Sequence, residues 1–266
     1  MFVKDPCGVV CILITYMAVF YADYVIIKWV VLQTMLDSLW GTFNVVMFNT
    51  IIFLLIISHI KAVVTDPGTV PLLQMEVDFS NMVSSDSRCE FVNWTVCLRC
   101  ETYRPPRAHH CRICQRCIRR MDHHCPWINN CVGERNQKFF IQFLVYVGVL
   151  SVYSATLVAV SWIKECKECS NDIPLKETRI LHSIVLLLES ALFGLFVAAI
   201  LIDQLQAIFT DETAVERVQK QELPKDYKPK MMLLSEVCGK EHPVFWLFPC
   251  SSVPKKIDAS LMDYQI

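Results

Sequence analysis

The sequence predicts an all-α polytopic membrane protein: four transmembrane helices, with an irregular, metal-stabilised cysteine-rich domain between the second and third. Two observations predict it. The 266 residues are 54% hydrophobic, and that content collects in four long runs rather than spreading evenly. Between the second and third runs lies a 35-residue stretch, Cys97 to Cys131, with seven of the 14 cysteines and four of the seven histidines. The chain divides accordingly into residues 1–64 (two spans), 65–137 (the cysteine-rich domain), 138–209 (two more spans) and 210–266 (a tail).

The first run covers roughly Val9–Leu32, the second about Phe43–Val64, the third about Phe139–Ile163 and the fourth about Ile180–Phe209. At about 1.5 Å per residue each crosses a hydrocarbon core ~30 Å thick. The first run is too long for a cleaved signal peptide and has neither a basic start nor a small-residue cleavage site, so it reads as a retained span. Asp23 and Lys28 within it are expected to sit near the far membrane face and snorkel, and Glu189 and His182 in the fourth run are read the same way. Asp203 lies near the other end, its partner unspecified by sequence.

Loop charges set the orientation. Residues 65–137 hold nine Lys/Arg (Arg88, Arg99, Arg104, Arg107, Arg112, Arg116, Arg119, Arg120 and Arg135) and the tail holds eight, whereas residues 33–42 hold none. The cysteine-rich domain, the tail and both termini are therefore expected in the cytosol, whose reducing conditions keep thiols free. Cys166 and Cys169 fall in the opposite loop, as idle thiols or a local disulfide. A net charge of −1 gives nucleic-acid binding no electrostatic support.

Between the second run and the cysteines, Asp66-Pro67-Gly68 is turn chemistry that stops a helix at the membrane face. Within the cysteine stretch one pattern, C-x2-C-x9-H-x6-C, occurs twice, offset by 14 residues. The first copy is Cys97, Cys100, His110 and Cys117, and the second is Cys111, Cys114, His124 and Cys131. Eight donors in two sets of four fit two closed tetrahedral zinc sites. His123 in place of His124 satisfies similar spacing, and the interleaved histidines argue against an iron–sulfur cluster. The segment lacks helical or strand periodicity, so loops and short hairpins folded around metal are expected.

One cysteine, Cys125, belongs to neither set. Ala108-His109-His110-Cys111 and Asp122-His123-His124-Cys125 are copies 14 residues apart, but Cys125 is followed by Ile128 where a further ligand would stand, and Asp122 replaces Ala108. A thiol beside an imidazole beside a carboxylate is the pattern of nucleophile, base and orienting group. Cys125 is the candidate nucleophile, His123 its base, and Asp122 the group fixing the His123 tautomer. The bland alternative makes Cys125 a spare ligand or a buried thiol. Pro126 favours an extended Cys125. The thiol lies 14 residues before Phe139, close to the bilayer surface. In the tail, residues from Asp211 to Arg217 suggest a helix continuing off the membrane. The run Pro243-Val244-Phe245-Trp246-Leu247-Phe248 packs on the metal module or dips into the interface, the former being the simpler. Residues from Asp258 onward look unstructured. No phosphate loop, Rossmann fingerprint or Ser-centred elbow is present.

On these residues the chain resembles the DHHC family of protein S-acyltransferases, the palmitoyltransferases. The resemblance spans nearly the whole chain: four spans, the core Cys97–Cys131 continuing through Val132-Gly133-Glu134-Arg135-Asn136, and Asp66-Pro67-Gly68 as the DPG motif. Thr213-Ala214-Val215-Glu216 is similar to the TTxE motif with Ala214 for the second Thr, and Val237-Cys238-Gly239 only echoes the tail motif. The resemblance implies two structural zinc ions and a two-step reaction. Cys125 takes a palmitoyl group from fatty acyl-CoA, and a cysteine of a membrane-associated protein then accepts it. It also implies an acyl chain running up between the spans, which makes Leu150 a candidate to close the cavity. Arg104, Arg107, Arg116, Arg119 and Arg120 are candidates for the CoA phosphates, the alternative being a simple positive-inside excess beside anionic lipid. A Golgi or endoplasmic reticulum membrane is the expected location. The main rival is a non-catalytic, membrane-anchored zinc scaffold or adaptor, in which Cys125 would have no use. A transporter is disfavoured by the few ionisable groups in the spans.

Overall fold

A computed structural model of the chain describes residues 5–35, 38–72, 94–164, 172–220 and 228–249. Cys166, Cys169 and the residues from Asp258 lie outside these.

Four helices are long and apolar enough to cross a membrane: Pro6–Thr34, Leu39–Val64, Gln137–Ile163 and Ile173–Thr210. Each starts earlier than its apolar run, and in three of them a polar cap sets the start. Asp5, Ser38 and Asp172 accept hydrogen bonds from the first-turn amides of Cys7, Trp40 and Leu175, and Pro6 and Pro174 occupy positions where a missing N–H costs nothing. The first helix loosens into a π-helical stretch over Ile26–Val31. The third span packs against both the second and the fourth. The shared apolar core holds Phe48, Leu55, Phe140, Phe143, Val158 and Leu186.

The charges within the spans find local partners. Asn49 donates to Asp23 at 3.2 Å, and Lys28 lies over the rings of Tyr24 and Trp29, each at 5.5 Å. His182 stacks on Trp29 and shares a hydrogen bond with the Tyr21 hydroxyl at 3.0 Å. Asp203 pairs with Arg217 at 3.0 Å. Glu189 departs from the snorkelling expectation: it lines an internal cavity.

Between spans two and three the chain forms three antiparallel hairpins: β1 (Thr95–Cys97) with β2 (Thr102–Arg104), β3 (Ala108–Cys111) with β4 (Arg116–Arg119), and β5 (His123–Cys125) with β6 (Asn130–Val132). The Asp66-Pro67-Gly68 turn fastens this module to the end of span two. The Asp66 carboxylate accepts from the amide of Thr69 at 3.0 Å and pairs with Arg135 at 3.2 Å. Gly68 adopts φ +108°, and its carbonyl accepts from the Arg119 amide at 2.9 Å. Gly133 is required by close approach, since a Cβ there would lie 2.6 Å from the Pro67 carbonyl oxygen.

Two features of the tail differ from expectation. The fourth helix does not continue: Asp211 turns left-handed at φ 49°, and a new helix, Ala214–Gln219, starts under a reciprocal cap between Thr213 and Glu216. The aromatic run does not pack on the metal module. Its 3-10 turn, Pro243–Leu247, lies along spans two and three. There Gln142 donates to the Trp246 carbonyl at 2.7 Å, Tyr146 to that of Leu247 and Lys61 to that of Pro249. The turn's carbonyls need donors, and polar side chains of the spans supply them.

Candidate active site and metal centres

The two hairpin pairs that carry the repeat bring its donors together as two clusters, Cys97–Cys100–His110–Cys117 and Cys111–Cys114–His124–Cys131. In the first, the His110 Nδ1 atom lies 3.7, 3.2 and 4.0 Å from the three sulfurs. In the second, the His124 Nδ1 atom lies 3.8, 3.3 and 3.7 Å from its sulfurs. A tetrahedron with metal–sulfur arms of about 2.3 Å has edges of roughly 3.8 Å, so both donor sets fit a zinc ion in size and in chemistry. His124, not His123, completes the second set.

The reason is the pleat of β5. Side chains alternate along a strand, so His124 faces its cross-strand partner Cys131 and the metal donors, while His123 and Cys125 face the other way. Cys125 is extended, at φ −112° and ψ 113°, and is 3% exposed. A 3-10 turn, Pro126–Ile128, follows and ends at left-handed Asn129.

His123 is placed from both sides. Its Nδ1 lies 2.7 Å from Asp122 Oδ2, its ring meets Phe140 edge-on, and Cys125 hydrogen-bonds to it. Burial alone would depress the imidazole pKa. The Asp122 carboxylate and the Cys125 sulfur overcome burial and hold it up at about 9.

Asp122 is 2% exposed and accepts three hydrogen bonds, each 2.7 Å long: from His123, from the Gln204 side chain on span four and from the Ala214 amide. Burial raises its pKa, but these donors together bring it below the usual carboxylate range. Ala214 thus reaches the site through its backbone, which any residue except proline supplies. The departure from TTxE at this position leaves the tail tethered.

The tether has a second strand. Arg107, held at φ 64°, forks onto the fully buried Glu216 carboxylate at 2.7 and 2.9 Å, and reaches the Asp211 side chain at 3.0 Å and its carbonyl at 2.8 Å. Its guanidinium is thereby paired with the tail. Arg120 lies 2.7 Å from Asp211, Arg119 is 7% exposed, Arg116 donates to Asn130 at 3.3 Å and Arg104 to Thr95 at 2.6 Å.

Cys125 lines an apolar cavity that runs among the spans. Its lining includes Trp127, Phe143, Leu150, Ser154, Glu189 and Phe193. Leu150 is 6% exposed. With Gln137 as the start of span three, Leu150 lies about 20 Å along the helix.

Several supporting residues were not singled out from sequence. Asn130 donates to the carbonyls of Val63 and Thr65 at 3.1 and 3.0 Å, tying the Cys125 hairpin to the end of span two. His59, 1% exposed, contacts the Trp127 carbonyl at 3.0 Å and the Tyr16 hydroxyl at 3.0 Å. Gln204 is fully buried. The available signal was a polar residue inside an apolar span, which marks a candidate without naming its partner.

Comparison with known proteins agrees with this arrangement. A family model described as DHHC palmitoyltransferase matches residues 90–221, which include every residue of both clusters and the 122–125 motif. The chain is 35% identical over 252 residues to the human (Homo sapiens) palmitoyltransferase ZDHHC3, covering 93% of this chain and 82% of that protein. It is 36% identical to the Mus musculus palmitoyltransferase ZDHHC7, covering 93% and 80%. It is 30% identical to the probable protein S-acyltransferase 13 of Arabidopsis thaliana, covering 80% and 74%. Similarity of this extent, over nine-tenths of the chain and through the metal hairpins, means that the chain belongs to the DHHC palmitoyltransferase family.

Proposed function

We propose that this chain is a protein S-acyltransferase that carries a palmitoyl group from fatty acyl-CoA to protein cysteines through a thioester on Cys125. The observation that carries the reading is the position of Cys125, at once beside His123 and on the wall of the apolar cavity.

In the first step the Cys125 sulfur attacks the acyl-CoA carbonyl and the CoA sulfur leaves. In the second an acceptor thiol attacks the Cys125 thioester. His123 handles the proton in both, taking it from the attacking thiol and returning it to the departing sulfur. Asp122 keeps the His123 Nδ1 proton in place, so that Nε2 faces the reacting sulfur. Both steps exchange one thioester for another, so no nucleotide is needed. The cavity holds the chain, at about 0.8 kcal/mol per buried methylene. Leu150 is assigned to its closed end. The two Cys/His sets hold structural zinc, which supplies folding free energy and no reactive group. Arg104, Arg107, Arg116, Arg119 and Arg120 are assigned to the CoA phosphates. The arginine-rich domain and both termini are assigned to the cytosol, in a Golgi or endoplasmic reticulum membrane, with membrane-associated proteins as acceptors.

The test is incubation of the detergent-purified chain with labelled palmitoyl-CoA. Expected is a hydroxylamine-sensitive label on Cys125 that passes to a cysteine-containing, membrane-anchored acceptor. Cys125→Ser should lose both label and transfer. Transfer by a folded Cys125→Ser protein, or no label on the wild type, sinks the proposal and favours a scaffold.

A further inference from the structure

Backbone carbonyls at the end of a short turn need donors. In the 3-10 turn that follows Cys125, the Pro126 carbonyl accepts from the Asn129 amide at 3.0 Å. The Trp127 carbonyl is met instead by His59 Nε2 of span two, at 3.0 Å. A carbonyl oxygen has no proton to give, so Nε2 carries the hydrogen. In the neutral imidazole Nδ1 then accepts, and the Tyr16 hydroxyl of span one lies 3.0 Å from it. Tyr16, His59 and Trp127 thus form one directional chain of hydrogen bonds. His59 is 1% exposed, and its ring also packs on Phe143 of span three, at 4.8 Å between centroids. The Trp127 indole meets Phe193 and Phe196 of span four. Contacts from all four spans therefore converge, directly or through His59, on the residue two places after Cys125. Trp127 and Phe143 line the same cavity as Cys125. The reaction assigned above gives His59 and Tyr16 no part.

We infer that His59 is a positioning residue for acyl transfer: it fixes the turn that aims Cys125 and the Trp127 wall of the cavity, with Tyr16 holding its tautomer. The inference rests on the acyl-enzyme reading of Cys125. Only Pro126 separates Cys125 from Trp127, and its ring locks φ, so a displacement of the Trp127 carbonyl passes to the sulfur with little slack. The acyl carbonyl has to meet that sulfur at close range, and a misplacement of about 1 Å can cost roughly 100-fold in rate. An acyl chain lying against Trp127 while its carbonyl reacts at Cys125 needs wall and thiol held in one frame. The His59 bond supplies that frame. His123 moves the proton, and His59 keeps the geometry in which the proton transfer is useful. A reagent too small to use the cavity does not depend on the frame in this way.

The experiment compares the full-length wild type with His59→Leu, His59→Gln and Tyr16→Phe in detergent. Three quantities are measured: Cys125 loading from palmitoyl-CoA, Cys125 alkylation by iodoacetamide and zinc content. His59→Leu leaves the Trp127 carbonyl unpaired, so loading should slow about 10–100-fold. Iodoacetamide reactivity follows thiolate content, so alkylation should stay within about twofold of the wild type. Zinc should stay at about two ions per chain. His59→Gln should recover most of the loading, because its amide nitrogen takes the place of Nε2 and donates to the same carbonyl. Tyr16→Phe removes one neutral hydrogen bond and should slow loading about 2–10-fold, again with alkylation and zinc unchanged. If His59→Leu does not fold, the Tyr16→Phe and His59→Gln comparisons carry the test. Wild-type loading in folded His59→Leu or in Tyr16→Phe overturns the inference. So does a parallel fall of loading, alkylation and zinc, which is a folding defect, and so does a His59→Gln protein as slow as His59→Leu. Each of these leaves the acyl-enzyme reading standing, whereas a wild type that palmitoyl-CoA does not load at Cys125 overturns both.

Discussion

The Ala214 amide donates to the Asp122 carboxylate at 2.7 Å. This single bond joins the tail, past the fourth span, to the group that orients His123. Ala214 is also the first residue of its helix, where proline is tolerated because that N–H has no partner within the helix. Ala214→Pro should therefore keep the helix and remove only the donor. Losing a hydrogen bond to a charged group costs about 1.5–3 kcal/mol, so Cys125 loading should slow roughly 10–100-fold, measured as burst kinetics. Ala214→Thr should load at the wild-type rate. Equal rates for the proline and threonine variants would detach the tail from catalysis.

The pairing of Arg107 with Glu216 predicts a pH response. Burial raises the Glu216 carboxyl, but the Arg107 and Thr213 hydrogen bonds outweigh burial and hold it below its ordinary range. A depressed folded value means that the stabilisation is complete above the unfolded value, near 4.5, and fades as pH falls through the lower folded one. Hydrogen exchange in the Ala214–Gln219 helix should accelerate in that acid window. Glu216→Gln should leave Arg107 with only its Asp211 partner and loosen the tail already at neutral pH. Breaking such a pair costs about 3–5 kcal/mol, here toward the lower figure because the Arg107 side chain is 20% exposed. Protection that is independent of pH in both proteins would contradict this.

Metal content should separate the cysteines. Cys125→Ser should keep about two zinc ions per chain, while Cys100→Ala and Cys114→Ala should each lose metal, protease resistance and activity together. Atomic emission on purified protein measures the first, and limited proteolysis the second. Loss of an ion in Cys125→Ser would make that residue a ligand.

Leu150→Ala should widen the deep part of the cavity. Competition between palmitoyl-CoA and stearoyl-CoA should shift toward the longer chain by several-fold, since two further methylenes are worth about 1.6 kcal/mol when buried. An unchanged ratio in a folded, active variant would remove Leu150 from the cavity end.

What could be read in advance follows from the range of each interaction. The spans were legible because an apolar run of some twenty residues has few other uses. The grouping of Cys97 with Cys117, and of Cys111 with Cys131, was legible because the repeat fixes four donors at once. Arg107 was not, because its charge was visible while its partner, Glu216, lies 109 residues away. Gln204 and Asn130 were missed because each satisfies a distant group: the polarity of Gln204 inside an apolar span marks a candidate without naming its partner, and Asn130 has not even that signal. At Ala214 the sequence showed a changed side chain, while the structure uses an unchanged backbone amide.

The pleat of β5 puts metal ligand and reacting thiol on opposite sides of one three-residue strand. Zinc is thus insulated from the sulfur chemically yet joined to it mechanically. A thiolate bound to the ion would be quenched as a nucleophile, whereas one held on the reverse of the same strand is free to react and still rigidly aimed. The register opposite Cys131 fixes that aim, because sliding the hairpin by one residue would exchange the two faces and offer Cys125 to the metal and His124 to the cavity. Occupancy of the second Cys/His set therefore governs direction rather than reactivity. An ion-depleted protein would keep its thiol, base and carboxylate, but lose the metal's hold on the strand that aims them.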